Sequence, residues 1–257
     1  VLGDPFRRVS LSPPGADNMT RTIPGLAVAL SAIAIGTTAS ADLLAYWNQN
    51  NNGLPVSGFG FTPSSFPQAA DSGVGSATLS VGGGLTASTI VNGNGTTVYE
   101  WVESFAGSTL NALNGDAAGG SISLEGGTGS GNNGAYFQFA FNMSGYQDLA
   151  VSYAVRGTSS GFTTHTWAWS TDGVSFTDFG SVSGTNVSTY FVATLNTLTA
   201  LDNASTAFLR LTFTGATTSS GNNRLDNIQF NASAIPAPGA IALLGVAGLA
   251  AGRRRRA

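Results

Sequence analysis

The chain has no cysteine and no lysine, a single histidine, and charged side chains at only 9% of its 257 positions. Without thiols it has no cysteine nucleophile, no Cys-ligated zinc and no iron–sulfur cluster. A core of this size can hold a fold without disulfides, so the missing cysteines do not argue against export. The lone His165 leaves no partner set for a zinc centre and no Ser-His-Asp pattern. The missing lysines, with a net charge of −3, leave no basic stripe, and nucleic-acid binding is excluded as a function class.

What the chain has instead is 35 glycines, abundant Ser, Thr and Asn, 15 phenylalanines and four tryptophans. That composition suits strands joined by tight turns and supplies enough aromatic volume for a packed core. Charge is unevenly spread. Seven of the ten arginines lie in the flanks, and between Asp42 and Ala234 only Arg156, Arg210 and Arg224 face eleven carboxylates.

Period-two alternation marks half-buried antiparallel strands. Phe137, Phe139 and Phe141 alternate with Tyr136, Gln138 and Ala140; Leu149, Val151, Tyr153 and Val155 form a second series, and Leu209, Leu211 and Phe213 a third. Clusters of Gly, Asn and Ser at 126–134, 157–161 and 219–223 punctuate them. Asp172-Gly173 between Trp169 and Phe176 predicts a hairpin with a type I′ turn. One helix is expected, over residues 97–113. The fold class expected is all-β, an antiparallel two-sheet sandwich of jelly-roll type, flanked by an N-terminal signal helix and a C-terminal hydrophobic helix.

Both flanks read as targeting segments. From Met19, Arg21 supplies a positive start, residues 23–35 an apolar run, and Ala39 and Ala41 the small residues of a cleavage site before Asp42. Residues 1–18 then read as sequence upstream of the true start, 19–41 as a signal peptide, 42–233 as the β-domain and 234–257 as a terminal sorting segment. In that segment Pro236 and Pro238 end any strand, and residues 239–252 are apolar or small, short of the ~20 that span a bilayer unaided. Arg253, Arg254, Arg255 and Arg256 follow, and positive charge favours the cytoplasmic side. The Pro-x-Pro motif, small-residue helix and arginine block together resemble the PEP-CTERM sorting signal, with Pro236-Ala237-Pro238 where the family has Pro-Glu-Pro. The resemblance covers about the last two dozen residues. It implies export through the Sec translocon, transient inner-membrane anchoring, cleavage by an exosortase-type membrane protease, and delivery to the cell surface or extracellular matrix. An uncut membrane anchor is the plainer alternative.

Two body segments carry a looser likeness. Residues 166–176, with the Ser-Thr-Asp-Gly turn between aromatics, resemble a hairpin of discoidin-like and other carbohydrate-binding sandwiches, and residues 222–230 (Asn-Asn-Arg-Leu-Asp-Asn-Ile-Gln-Phe) resemble their closing strand. In a strand His165, Trp167 and Trp169 share a face, either as an aromatic platform for sugar rings or as core; large aromatics more often fill the core. Asp226 with Asn222 and Asn227 is a candidate structural Ca²⁺ set, against which stand an Asp226–Arg224 contact or plain exposure. Glu100 and Glu103, at odd spacing, fall on opposite faces of a strand and read as an exposed acidic pair. The leading expectation is therefore a non-catalytic surface or matrix protein. The alternatives are a carbohydrate-binding or adhesion module with polysaccharide as its partner and, more weakly, a glycan hydrolase.

Overall fold

The computed structural model describes residues 41–85 and 101–236, together with the backbone of 87–88 and 98–99. The two segments expected as flanking helices, with Ala39, Ala237, Pro238 and Arg253 to Arg256, lie outside the described residues, as does Glu100.

Within them the chain is built from strands. These are β1 (Ala41–Trp47), β2 (Ser57–Gly60), β3 (Gln68–Ala69), β4 (Thr78–Gly82), β5 (Ala87–Ser88), β6 (Val98–Tyr99), β7 (Val102–Ala106) and β8 (Gly120–Glu125). The second half adds β9 (Tyr136–Phe141), β10 (Tyr146–Gly157), β11 (Thr164–Ser170), β12 (Thr177–Ser183), β13 (Phe191–Thr194), β14 (Ala207–Thr214) and β15 (Asn222–Ala234). One sheet has the order β13-β10-β15-β8-β7-β2, with β1 also on β15; the other has the order β12-β11-β14-β9-β4-β3. Both are antiparallel throughout, as expected for an all-β sandwich. β5 and β6 pair separately.

The predicted alternation becomes the inner lining. Phe137, Phe139 and Phe141 of β9 point inward, and so do Leu209, Leu211 and Phe213 of β14, while Val151, Tyr153 and Val155 of β10 meet them from the other sheet. The centre is aromatic: Trp47, Phe139 and Phe230 meet edge to face at 5.1–5.4 Å, and Trp167 stacks on Phe139 at 5.7 Å. Such offset and T-shaped contacts add to the burial of the rings themselves.

Two local expectations are corrected. No α-helix forms among the described residues of 97–113. Val102 and Ser104 are buried while Glu103 and Phe105 lie on the opposite face, so this stretch follows a strand's period of two and forms β7. The hairpin after β11 exists, since Trp169 pairs with Thr177, but its turn is not type I′. That turn needs positive φ at both central residues, whereas here only Gly173 has it, at 72°. Asp172 Oδ1 instead accepts the N–H groups of Val174 and Ser175 and the Ser170 hydroxyl, folding a wider loop. Those donors hold the Asp172 carboxyl down at about 2.

β15 organises the larger sheet. One edge pairs with β10 along most of its length; the other pairs first with β8, through Asn222 to Leu225, and then with β1, from Ile228 to Ser233. Asp226 and Asn227 fall in the notch between these two partners. Asn227 takes a φ of 47°, and the loop after β7 fills the gap. The Asn227 amide donates to the Ser108 and Leu110 carbonyls at 2.7 and 2.9 Å, its Oδ1 accepts from the Tyr46 hydroxyl at 2.7 Å, and Asn111 donates to the Asn227 carbonyl at 2.7 Å.

Candidate binding face

The aromatic hairpin does not form a surface platform. His165 and Trp167 have no solvent exposure, and Trp169 is half-buried against the core. The Trp167 indole N–H donates to the Tyr153 hydroxyl at 3.3 Å, and His165 Nδ1 lies 3.1 Å from the same oxygen. On its other side, Asn223 Nδ2 stands 3.0 Å from His165 Nε2. As an acceptor from Asn223, Nε2 leaves the proton on Nδ1, pointing to Tyr153. Burial lowers the His165 pKa to about 3, so the ring is neutral, and it raises that of Tyr153. These groups form a hydrogen-bonded polar patch inside the sandwich, in which Asn223 Oδ1 is left without a partner, and are out of reach of a polymer.

The calcium set is not assembled either. Asn222 and Asp226 lie four residues apart along β15, on the order of 13 Å in extended chain. The Asp226 carboxylate accepts the Ser108 and Asn227 N–H groups at 2.6 and 2.8 Å, and the Asn222 oxygen accepts from Arg224 Nε at 3.4 Å. Asp226 is fully buried, and desolvation pushes its pKa up to about 8, despite those two donors. Near pH 7 it is mainly in the uncharged form, which is a poor calcium ligand. Arg224 turns away from it and lies over the Phe105 ring.

The chemistry of the chain gathers on the outer face of the larger sheet. Register places Glu103 of β7 beside Ser123 of β8, Ser123 beside Arg224 of β15, and Arg224 beside Arg156 of β10. Their chain neighbours Val102, Leu124, Leu225 and Val155 face the core, so all four of these side chains stand on the opposite face. They form one continuous row over four adjacent strands. Next to it, Glu125 of β8 pairs with Asn222.

Aromatic rings border the row. The Arg224 guanidinium sits 3.9 Å from the Phe105 ring centroid, and that of Arg156 sits 5.7 Å from the Tyr190 ring. Tyr190, in the loop before β13, extends over the sheet and donates its hydroxyl to the Ala106 carbonyl of β7 at 2.9 Å. Burial raises its pKa. On the far edge Gly58 of β2 has a φ of 84°, which favours glycine, and a Cβ there would fit tightly, 3.2 Å from Glu103 Oε2 and 3.4 Å from the Phe105 ring.

The face is not electrostatically closed. Burial raises the Glu103 pKa, partly countered by Arg224. Burial and the neighbouring Glu103 push Glu125, only 8% exposed, up to about 7. Arg224 is lowered by desolvation and then by Arg156 facing it. Ser123 Oγ and Arg156 Nε, both buried, have no hydrogen-bond partner. Glu103 thus departs from the expectation of a freely exposed acid: it is half-buried at the end of the row.

Sequence reasoning missed this face because its members are far apart in the chain and only strand register joins them. One signal was available. Arg156 follows the alternating run Leu149, Val151, Tyr153 and Val155 at an outward position, although Arg224 has no such run around it.

No family model matches the chain, and no curated protein does. Several solved structures resemble its backbone. The xylan-binding CBM22-1 domain of Xyn10C from Paenibacillus barcinonensis is 11% identical, covering 77% of this chain and 99% of that one, with a TM-score of 0.45. TmCBM61, solved with beta-1,4-galactotriose, is 8% identical over 59% of this chain and 86% of that one, with a TM-score of 0.36. The K2 cleaved adhesin domain of Lys-gingipain is 13% identical over 68% of this chain and 94% of that one, with a TM-score of 0.38. These likenesses transfer no residue, and the face described above stands on its own geometry.

Proposed function

We propose that the chain is an exported, non-catalytic surface or matrix protein whose sandwich binds polysaccharide across the outer face of its larger sheet. One observation carries the binding reading: the row Glu103–Ser123–Arg224–Arg156 crosses four strands between the Phe105 and Tyr190 rings. Rings offer apolar faces to sugar C–H groups, while the partly exposed guanidinium and carboxyl groups of Arg156, Arg224 and Glu103 match sugar hydroxyls; Ser123, with no exposure, only spaces the row. The row follows the sheet instead of closing around a pocket, an arrangement suited to an extended chain. The export reading rests on Ala39 and Ala41 at one end, and on Pro236-Ala237-Pro238 with Arg253 to Arg256 at the other. It assigns the Sec translocon and an exosortase-type protease as processing partners.

The test is affinity electrophoresis of the exported protein against a panel of neutral and acidic polysaccharides, with mass spectrometry of the same material. Retardation in at least one gel is expected, abolished by Phe105→Ala or Tyr190→Ala in variants that keep the wild-type circular dichroism spectrum. Retention of binding in both variants would remove this face as the site. Terminal peptides starting at Asp42 and ending near Ile235 are expected; a secreted chain that keeps Arg253 to Arg256 would overturn the sorting reading.

A further inference from the structure

The two arginines of the row stand directly opposite each other on β10 and β15. Like charges in that position repel, by roughly 0.2–1 kcal/mol where measured in sheets. In a chain with only three arginines between residues 42 and 234, such a pair calls for a compensating charge. The face does not supply one fully. Burial favours the uncharged form of Glu103, Glu125 and Asp226 alike, and the guanidinium contacts made are with the Phe105 and Tyr190 rings and the Asn222 amide. Arg156 Nε has no acceptor at all. Both arginines are partly exposed, although Arg156 Nε itself is buried, and each guanidinium lies over a ring.

From this geometry we infer that the Arg156–Arg224 pair is a carboxylate subsite, and that the polysaccharide bound on this face is one containing uronic acids. The inference rests on the polysaccharide reading above and narrows it. A guanidinium offers parallel N–H donors whose spacing matches the two oxygens of a carboxylate. A uronate ring would lay its C–H face on Tyr190, which Arg156 approaches only to 5.7 Å, while its carboxylate meets the guanidinium groups; Arg224, at 3.9 Å, already covers one face of Phe105. Two arginines about 5 Å apart at the backbone serve one or two carboxylates of the same chain. Glu103 and Glu125 both act on Arg224, and burial, which favours their uncharged forms, limits their repulsion of an incoming carboxylate.

The experiment is isothermal titration of the exported protein with polygalacturonate, with the same polymer fully methyl-esterified, and with dextran sulfate. Esterification keeps the sugar backbone and removes the charge. Polygalacturonate is expected to bind at least about tenfold more tightly than its ester, and Arg156→Gln or Arg224→Gln to bring the two affinities together. Equal affinity for acid and ester, or variants that keep the full preference, would overturn the inference. Dextran sulfate binding as tightly as polygalacturonate would also overturn it, since the pair would then read charge without carboxylate geometry. A neutral glycan bound through Phe105 and Tyr190, with no acid preference, would sink the uronate subsite and leave the broader reading standing. Failure of every polysaccharide would remove both.

Discussion

Trp167 and Arg156 occupy strand positions of opposite consequence. Trp167 has no exposure and touches Phe139 and Tyr153, so Trp167→Ala leaves a cavity between the sheets. It is expected to cost about 3–5 kcal/mol in urea unfolding. Arg156→Gln removes one of two facing like charges and is expected to shift stability by less than about 1 kcal/mol. A stability loss at Arg156 as large as that at Trp167 would mean that the row is structural. The same contrast shows what was legible from single residues. Alternation announced Phe139 as core, because burial on a strand is a local, periodic property, but left Trp167 open between core and a surface platform. Arg156 carried no such mark: its partner Arg224 is 68 positions away in the chain, and only register brings the two together.

Among the elements, β9, β10 and β14 could be read directly from the sequence, whereas β7 was mistaken for part of a helix. Five residues with two buried positions give too few periods to separate a strand from a helix. The notch in β15 was equally invisible, since Asp226 and Asn227 are ordinary polar residues until β8 ends and β1 begins beside them. Asn227 ties that notch to the 107–116 loop through three hydrogen bonds with Ser108, Leu110 and Asn111, and to β1 through a fourth with Tyr46. Asn227→Ala would strip the side-chain partners from the Ser108 and Leu110 carbonyls and from the Tyr46 hydroxyl. The expected cost is about 1–3 kcal/mol, with faster amide exchange at Ser108 and Leu113 than at β9 amides. Uniform exchange changes across the sandwich would show instead that the loop is not an independent unit.

For the whole molecule, buried acids and the buried imidazole set opposing pH dependences. Asp226 and Glu125 hold protons in the folded state up to about 8 and about 7, against 3.8 and 4.5 when solvated. The folded state therefore binds more protons, and the stability from these groups is complete below those solvated values and drains away as pH rises through 7 and 8. His165 acts from the acid side: its folded pKa is about 3 against 6.5, so stability is lost as pH falls from 6.5 toward 3. Melting temperature is thus expected to fall between pH 6 and pH 9, with Asp226→Asn flattening that slope; an unchanged slope would remove Asp226 as its source. The last consequence comes from β15, which is both the final strand of the body and an interior strand of the larger sheet. Its far end pairs with the first strand, Ala41 lying opposite Ser233. Until residues 222–234 arrive, β10, β8 and β1 have no common neighbour and half the sandwich is without its spine. In the export proposed above, a chain threaded outward from its N-terminus would leave the larger sheet unfinished until almost the last of the body had crossed. Completion then brings the two ends of the body together at one pole.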